Sequence, residues 1–343
     1  MRTAEFDYDL PQECIAQTPG PRGESRLLRL DVDGRTEHRH DGDLPNLLRA
    51  GDLLVVNDTR VIPARLLARR RQTGGSLELL LVEPISDERW IALAKPGRRA
   101  RPGTVFDLDA DLHFTVVEKL VGGKIVAEFS QPIEPHLDRL GHVPLPPYIH
   151  RPDQPRDRED YQTVYARQPG AIAAPTAGLH FTTELIDSLE SAGVSSTAIT
   201  LHVGIGTFRP VTAREAEDHQ MEAERFEVSA ATAAAIERTR AEGGRIVAVG
   251  TTVVRTLESV SQRLGAIEPT TGSTDLFIRP GFRFGAVDLL LTNFHLPQST
   301  LLMLVCAFAG RQPVLAAYRE AIASGYRFYS YGDCMLIDRA RSL

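Results

Sequence analysis

Cysteine is scarce in these 343 residues: Cys14, Cys306 and Cys334 are an odd number at long spacings. That excludes a disulfide framework and a zinc knuckle, and it fits a reducing compartment. Cys306 falls inside an apolar run and reads as a small buried hydrophobe. Long apolar runs are missing too. The longest, around Leu301 to Ala309, is far short of the roughly 20 residues that span a bilayer. The opening MRTAEFDYDLPQE has no apolar stretch of the signal-peptide kind, so a soluble cytoplasmic protein is expected. Lysine nearly vanishes: only Lys95, Lys119 and Lys124 stand beside a large excess of arginine. Codon bias or selection for bidentate phosphate contacts would each produce that. A basic excess is also lacking. The net charge of −6 excludes a uniformly basic nucleic-acid binder but not a local basic face.

What is present is an ordinary globular composition, 42% hydrophobic and 24% charged, with chain for about two domains. Residues 1 to 50 read as irregular, and Asp52 to Asn57 as a short buried strand. From Pro63 onward, short apolar or alternating runs are separated by Gly74-Gly75, Lys95-Pro96-Gly97, Pro102-Gly103 and Gly122-Gly123. That spacing predicts five or six strands in a small antiparallel barrel. Residues 142 to 170 form a proline-rich connector. Helices and strands then alternate to the end, which favours a mostly parallel sheet covered on both faces. The expected fold is α/β: a large mixed domain, residues 1–62 with 150–343, and an inserted small β-barrel, 63–149. Helices are expected over Thr182 to Ala192, Ala230 to Glu242, Thr252 to Leu264, Ser299 to Ala309 and Val314 to Ser324. Strands include Asp275 to Ile278 and Val287 to Leu291.

Several expected strands run into polar, glycine-containing loops, where ligands bind in open α/β sheets. Gly204, Gly206 and Thr207 follow the strand ending near His202, although the spacing is not that of a dinucleotide fingerprint. Gly250, Thr251 and Thr252 open a helix whose free N–H groups would attract an anion, with Arg255 nearby. A plain helix cap explains them equally. Thr176, Gly178 and His180 precede another helix, and Asn293 and His295 end a third strand. His219, Glu222 and Glu224 lie within six residues, without the spacing of a zinc site.

Between Arg60 and Arg101 there are ten basic residues and four acidic ones. A basic small β-domain on an acidic chain is a reasonable nucleic-acid footprint. Arg60, Arg65, Arg98, Arg99 and Arg101 are its candidates; a solvated loop is the plainer alternative. No aromatic stacking motif of a named RNA module is present.

Taken together, these segments resemble the S-adenosylmethionine:tRNA ribosyltransferase-isomerases of queuosine biosynthesis. The matching stretches are Phe6 to Pro11, Gly51 to Arg60, Ala174 to Thr182, Leu201 to Phe208, Gly250 to Arg255, Thr292 to Pro297 and Tyr331 to Asp333. One departure is visible: the family commonly has His-x-Met-His-x-Glu, and here Glu222 replaces the second His. The resemblance implies an α/β domain with an inserted barrel. It also implies transfer and isomerisation of the ribosyl group of S-adenosylmethionine onto 7-aminomethyl-7-deazaguanine in a tRNA anticodon. The products would be epoxyqueuosine, adenine and methionine.

That chemistry needs a base for a proton beside the sulfonium, most simply at C5′, and an acid for the departing adenine. His180, His202, His219, Glu224, Asp275 and His295 are the candidate proton carriers. Thr176, Gly178, Gly204, Gly206, Thr207, Gly250, Thr251, Thr252, Arg255 and Asn293 are the candidate donor-binding residues, with Arg255 set against the methionine carboxylate. No metal is required, and a monomer with tRNA as its partner is expected. A non-catalytic RNA-binding protein and a tRNA methyltransferase are the rivals. The first leaves the polar strand ends unexplained, and the second lacks its glycine-rich first turn.

Overall fold

The computed structural model describes residues 1–340 except 205 and 207–210. Its larger part is a nine-stranded mixed sheet. The order is Thr270–Thr274, Glu224–Val228, Ser195–Leu201, Leu53–Asn57, Ile246–Val249, Leu289–Asn293, Cys334–Asp338, Arg26–Leu30 and Thr36–His40. The strands Ser195–Leu201, Leu53–Asn57, Ile246–Val249 and Leu289–Asn293 form a parallel centre, and antiparallel pairings flank it.

Leu53–Asn57, Ile246–Val249 and Leu289–Asn293 are buried at every position. Alternation explains how a continuous apolar run serves two layers. Leu53 and Val55 enter one core with Ile236, Val253, Leu257 and Leu304 from the helices on that face. Leu54 and Val56 enter the other, with Leu185 and Leu189 of the helix Thr183–Ser191. That helix starts where expected, because the Thr182 hydroxyl accepts from Leu185 N–H at 3.1 Å.

The second part is a closed six-stranded antiparallel barrel. Its strands run Arg65–Arg70, Ser76–Pro84, Arg89–Lys95, Lys124–Phe129, His113–Lys119 and Val105–Asp107, and the last pairs back onto the first. Alternate residues such as Leu77, Leu79, Leu81, Phe106, Phe114 and Phe129 fill it. The chain leaves the large sheet through Thr59–Val61 and returns through Gln168–Ala171, and these two segments pair in parallel.

Two local expectations fail. Residues 26–40 form a hairpin, and Arg26–Leu30 pairs with Cys334–Asp338, about 300 positions away. No local pattern announces so distant a partner. Asp275 to Ile278 is not a strand; the ladder against Glu224–Val228 is made by the polar Thr270–Thr274 just before it. Among the described residues no single helix is long and apolar enough to cross a membrane. Thr300–Ala309 and Arg311–Ala323 reach that length only together, bent by 115°.

Candidate active site

The parallel strands carry the site at their carboxyl ends. Asn57 ends one strand, and its side chain ties down the next: Nδ2 donates to Leu201 O at 3.0 Å, while Oδ1 accepts from Leu201 N–H at 3.0 Å. Ile246–Val249 ends at Gly250, whose φ of 90° suits glycine and turns the chain into the helix Thr251–Leu264. Leu289–Asn293 ends at Asn293. Its side-chain Oδ1 accepts from the Thr176 hydroxyl at 3.1 Å, and its Nδ2 donates to Tyr329 O at 3.1 Å.

Two adjoining cavities, which share Val203, lie across these ends. The first, about 60 Å³, is lined by Tyr148, Thr176, Gly250 to Thr252, Thr292 to Leu296, Tyr329 and Ser330. Among the described residues no Asp, Glu, Lys or Arg lines it. The second is about 710 Å³ and strongly charged, with His202, His219, Glu222, Glu224 and Arg225 facing Glu83 and Lys124 of the barrel. Lys124 Nζ lies 3.5 Å from Glu222 Oε2, so the barrel meets the large domain here. A third cavity, about 720 Å³, opens between barrel and sheet, with Arg60, Arg158, Arg167, Arg225 and Trp90 on its walls.

The four histidines separate by environment. His180 is buried between Ser25 Oγ at 2.9 Å and Asn293 Nδ2 at 3.1 Å, and burial pushes its pKa down to about 4. His295 lies 2.8 Å from the Thr292 hydroxyl, and burial takes its pKa to about 3. Both stay neutral at physiological pH and are weak bases. His202 reaches the second and third cavities. Its Nδ1 lies 2.9 Å from the Thr59 hydroxyl, and its ring lies over Gly170, where a Cβ would approach to 2.9 Å. Burial, then the Arg225 guanidinium, lowers its pKa, with Asp58 opposing. His219 packs edge-on against Phe277 and is also lowered by burial.

A model of one family, described as queuosine biosynthesis protein, matches residues 3–337. The chain belongs to the queuosine biosynthesis protein family. It is 54% identical over 343 residues to an S-adenosylmethionine:tRNA ribosyltransferase-isomerase of Symbiobacterium thermophilum, covering 98% of this chain and 100% of that one. A protein of the same name from an Anaeromyxobacter species is 53% identical over 347 residues, covering 99% and 100%. The crystal structure of an S-adenosylmethionine tRNA ribosyltransferase from Thermotoga maritima is 42% identical. It aligns with a TM-score of 0.57 over 97% of this chain and 99% of that one.

Several residues singled out from the queuosine-family motifs lie elsewhere than expected. Arg255 lines none of the three cavities. Its guanidinium is buried against Glu224 and donates to Leu276 O at 3.1 Å and Thr274 O at 3.2 Å. The carboxylate-binding role expected of it finds no support in this geometry, because its charge is already matched inside the protein. Glu224 holds that arginine, and its Oε1 accepts from Gly204 N–H at 2.8 Å. Gly178 is needed for packing, since a Cβ there would lie 2.2 Å from the Tyr165 hydroxyl. Asp275 is exposed and lines none of the three cavities. Gly206 lies against Glu222 in the charged cavity. Thr207 lies outside the described residues.

The basic candidates also divide. Arg60 lines the third cavity. Arg65 is paired with Asp153 at 2.5 Å and Glu78 at 3.4 Å. Arg98 and Arg101 are exposed, whereas Arg99 donates to Ser76 O at 2.6 Å. Sequence reasoning missed Tyr148, Tyr329, Lys124, Arg167 and Arg225. For Tyr329 a signal existed in the aromatic stretch Phe328-Tyr329-Ser330-Tyr331. Among the described residues no group of three or more His, Cys, Asp or Glu could hold a metal ion.

Proposed function

We propose that the chain transfers and isomerises the ribosyl group of S-adenosylmethionine onto 7-aminomethyl-7-deazaguanine in tRNA, giving epoxyqueuosine and releasing adenine and methionine. The observation that carries this is convergence. Segments far apart in the chain, around Thr176, Val203, Gly250 and Asn293, line one cavity in a chain that matches the queuosine family almost end to end.

The roles follow from charge and burial. The charged cavity suits the reacting sulfonium and ribose. His202 and His219 are its proton carriers, each kept neutral by burial and therefore able to accept the C5′ proton. A sulfonium acidifies that C–H bond, so the protein supplies orientation and proton transfer. Glu224 and Arg255 position the Gly204 loop. His180 and Asn293 fix Thr176 and the Tyr329 backbone. The tRNA enters between the barrel, residues 63–149, and the α/β unit, residues 1–62 with 150–343, guided by Arg60, Arg225, Arg98 and Arg101. The protein works as a cytoplasmic monomer, and the scheme needs no metal.

Nucleoside analysis of the tRNA after reaction tests this reading. Epoxyqueuosine, with methionine and adenine in equal amounts, is expected. S-adenosylhomocysteine with a methylated base would overturn it.

A further inference from the structure

The smaller cavity holds a group that the chemistry above leaves unused. Tyr329 is 6% exposed, and its hydroxyl has no hydrogen-bond partner among the described residues. A buried phenol normally finds one, because an unpaired hydroxyl forfeits the bonds it made to water. Its φ of 72° lies in the left-handed region, which a bulky residue rarely enters. Such conformations persist only where the surroundings enforce them. Here they do. Tyr329 N–H donates to Phe294 O at 3.2 Å, and its carbonyl accepts from Asn293 Nδ2 at 3.1 Å and Gly332 N–H at 2.9 Å. None of these bonds involves the phenol. Their effect is to seat the ring on the cavity wall, its centroid 4.3 Å from that of Tyr148.

The lining defines the ligand. Among the described residues no Asp, Glu, Lys or Arg faces the cavity, and His295 is neutral. A carboxylate or an ammonium would find no side-chain counter-charge among them. Aromatic walls from Tyr148, Phe294 and Tyr329, with the hydroxyls of Thr251 and Thr252, suit a flat neutral ring bearing nitrogen donors and acceptors. Burial keeps the Tyr329 phenol protonated, raising its pKa well above the ordinary value.

We infer that this cavity takes the purine ring of the ribosyl donor and that the Tyr329 hydroxyl hydrogen-bonds a ring nitrogen or the amino group. The inference rests on the ribosyl-transfer reading above. It places the ring, not the methionine carboxylate, at the start of the helix Thr251–Leu264.

The test is Tyr329→Phe in the full chain, with adenosine and methionine as separate calorimetric probes. The variant keeps the ring and removes only an unpartnered hydroxyl, so the melting temperature is expected to hold or rise. Adenosine should bind roughly three- to tenfold more weakly, the worth of one neutral hydrogen bond, and methionine should be unaffected. Unchanged adenosine binding, or a loss confined to methionine, overturns the inference. Adenosine binding that depends on Tyr329 in a protein that releases no adenine would support the ring site and overturn the ribosyl-transfer reading alone.

Discussion

Arg255 and Glu224 form an ion pair sealed from solvent, with 4% and 6% side-chain exposure. The pair joins the helix Thr251–Leu264 to the strand Glu224–Val228 and, through Gly204 N–H, to the loop that lines the charged cavity. Removing one member leaves the other charge buried alone, which costs about 3–5 kcal/mol. Arg255→Met is therefore expected to lower unfolding stability by that order. The double variant with Glu224→Gln should lose less than the two single variants combined. Denaturant titrations of all four proteins measure this. An Arg255→Met protein of normal stability with only a raised KM for S-adenosylmethionine would return Arg255 to substrate binding.

Acid should weaken the fold in a defined window. Burial depresses His180 to about 4 and His295 to about 3. The unfolded chain binds protons at these sites near the ordinary imidazole value, and the folded chain does not. Their contribution is thus fully present above about pH 6.5 and declines as pH falls toward the folded values. Each site should account for roughly 2 kcal/mol between pH 8 and pH 5. His180→Asn should flatten that slope relative to wild type. Asp52 and Asp157 are held below the usual carboxylate range, so their effects lie at lower pH. Equal slopes for variant and wild type would show that His180 protonates in the folded state.

Gly178→Ala should destabilise by steric conflict. The new Cβ would lie 2.2 Å from the Tyr165 hydroxyl and 2.7 Å from Thr163 Cγ2. Overpacking of this kind costs about 1–3 kcal/mol. Adding Tyr165→Phe should recover part of the loss, because that hydroxyl has no partner among the described residues. A stable Gly178→Ala protein with weakened S-adenosylmethionine binding would instead make Gly178 a ligand-contact residue.

The arginines predict two different salt responses. Arg98→Glu with Arg101→Glu should lower the log–log salt slope of tRNA binding by roughly 0.7–0.9 for each lost phosphate contact. It should leave turnover at saturating tRNA unchanged. Arg60→Glu with Arg225→Glu should lower the slope and also slow turnover, since Arg225 lines the cavities beside His202. An unchanged slope in either pair would mark those residues as solvated surface.

Legibility followed distance along the chain. The strand Leu53–Asn57 declared itself by its apolar character, and the barrel by glycine turns between alternating strands. The loops at the strand ends were visible as glycine and threonine clusters. What those residues do was not visible, because it depends on distant partners. Arg255 looked available until Glu224, 31 positions earlier, took its charge. Gly178 looked like a ligand glycine, but Tyr165 supplies the steric reason for it. Tyr329 stood out only as one aromatic among Phe328-Tyr329-Ser330-Tyr331. Its left-handed backbone and unpaired hydroxyl exist only once Phe294, Asn293 and Gly332 surround it.

Ribosyl transfer frees adenine, which makes free adenine its most specific readout. Purified monodisperse protein is incubated with S-adenosylmethionine and tRNA, with or without the 7-aminomethyl-7-deazaguanine base. Adenine is expected in proportion to the tRNA that carries this base, and none with the tRNA that lacks it. No adenine with the modified tRNA, or equal release with both, would contradict ribosyl transfer.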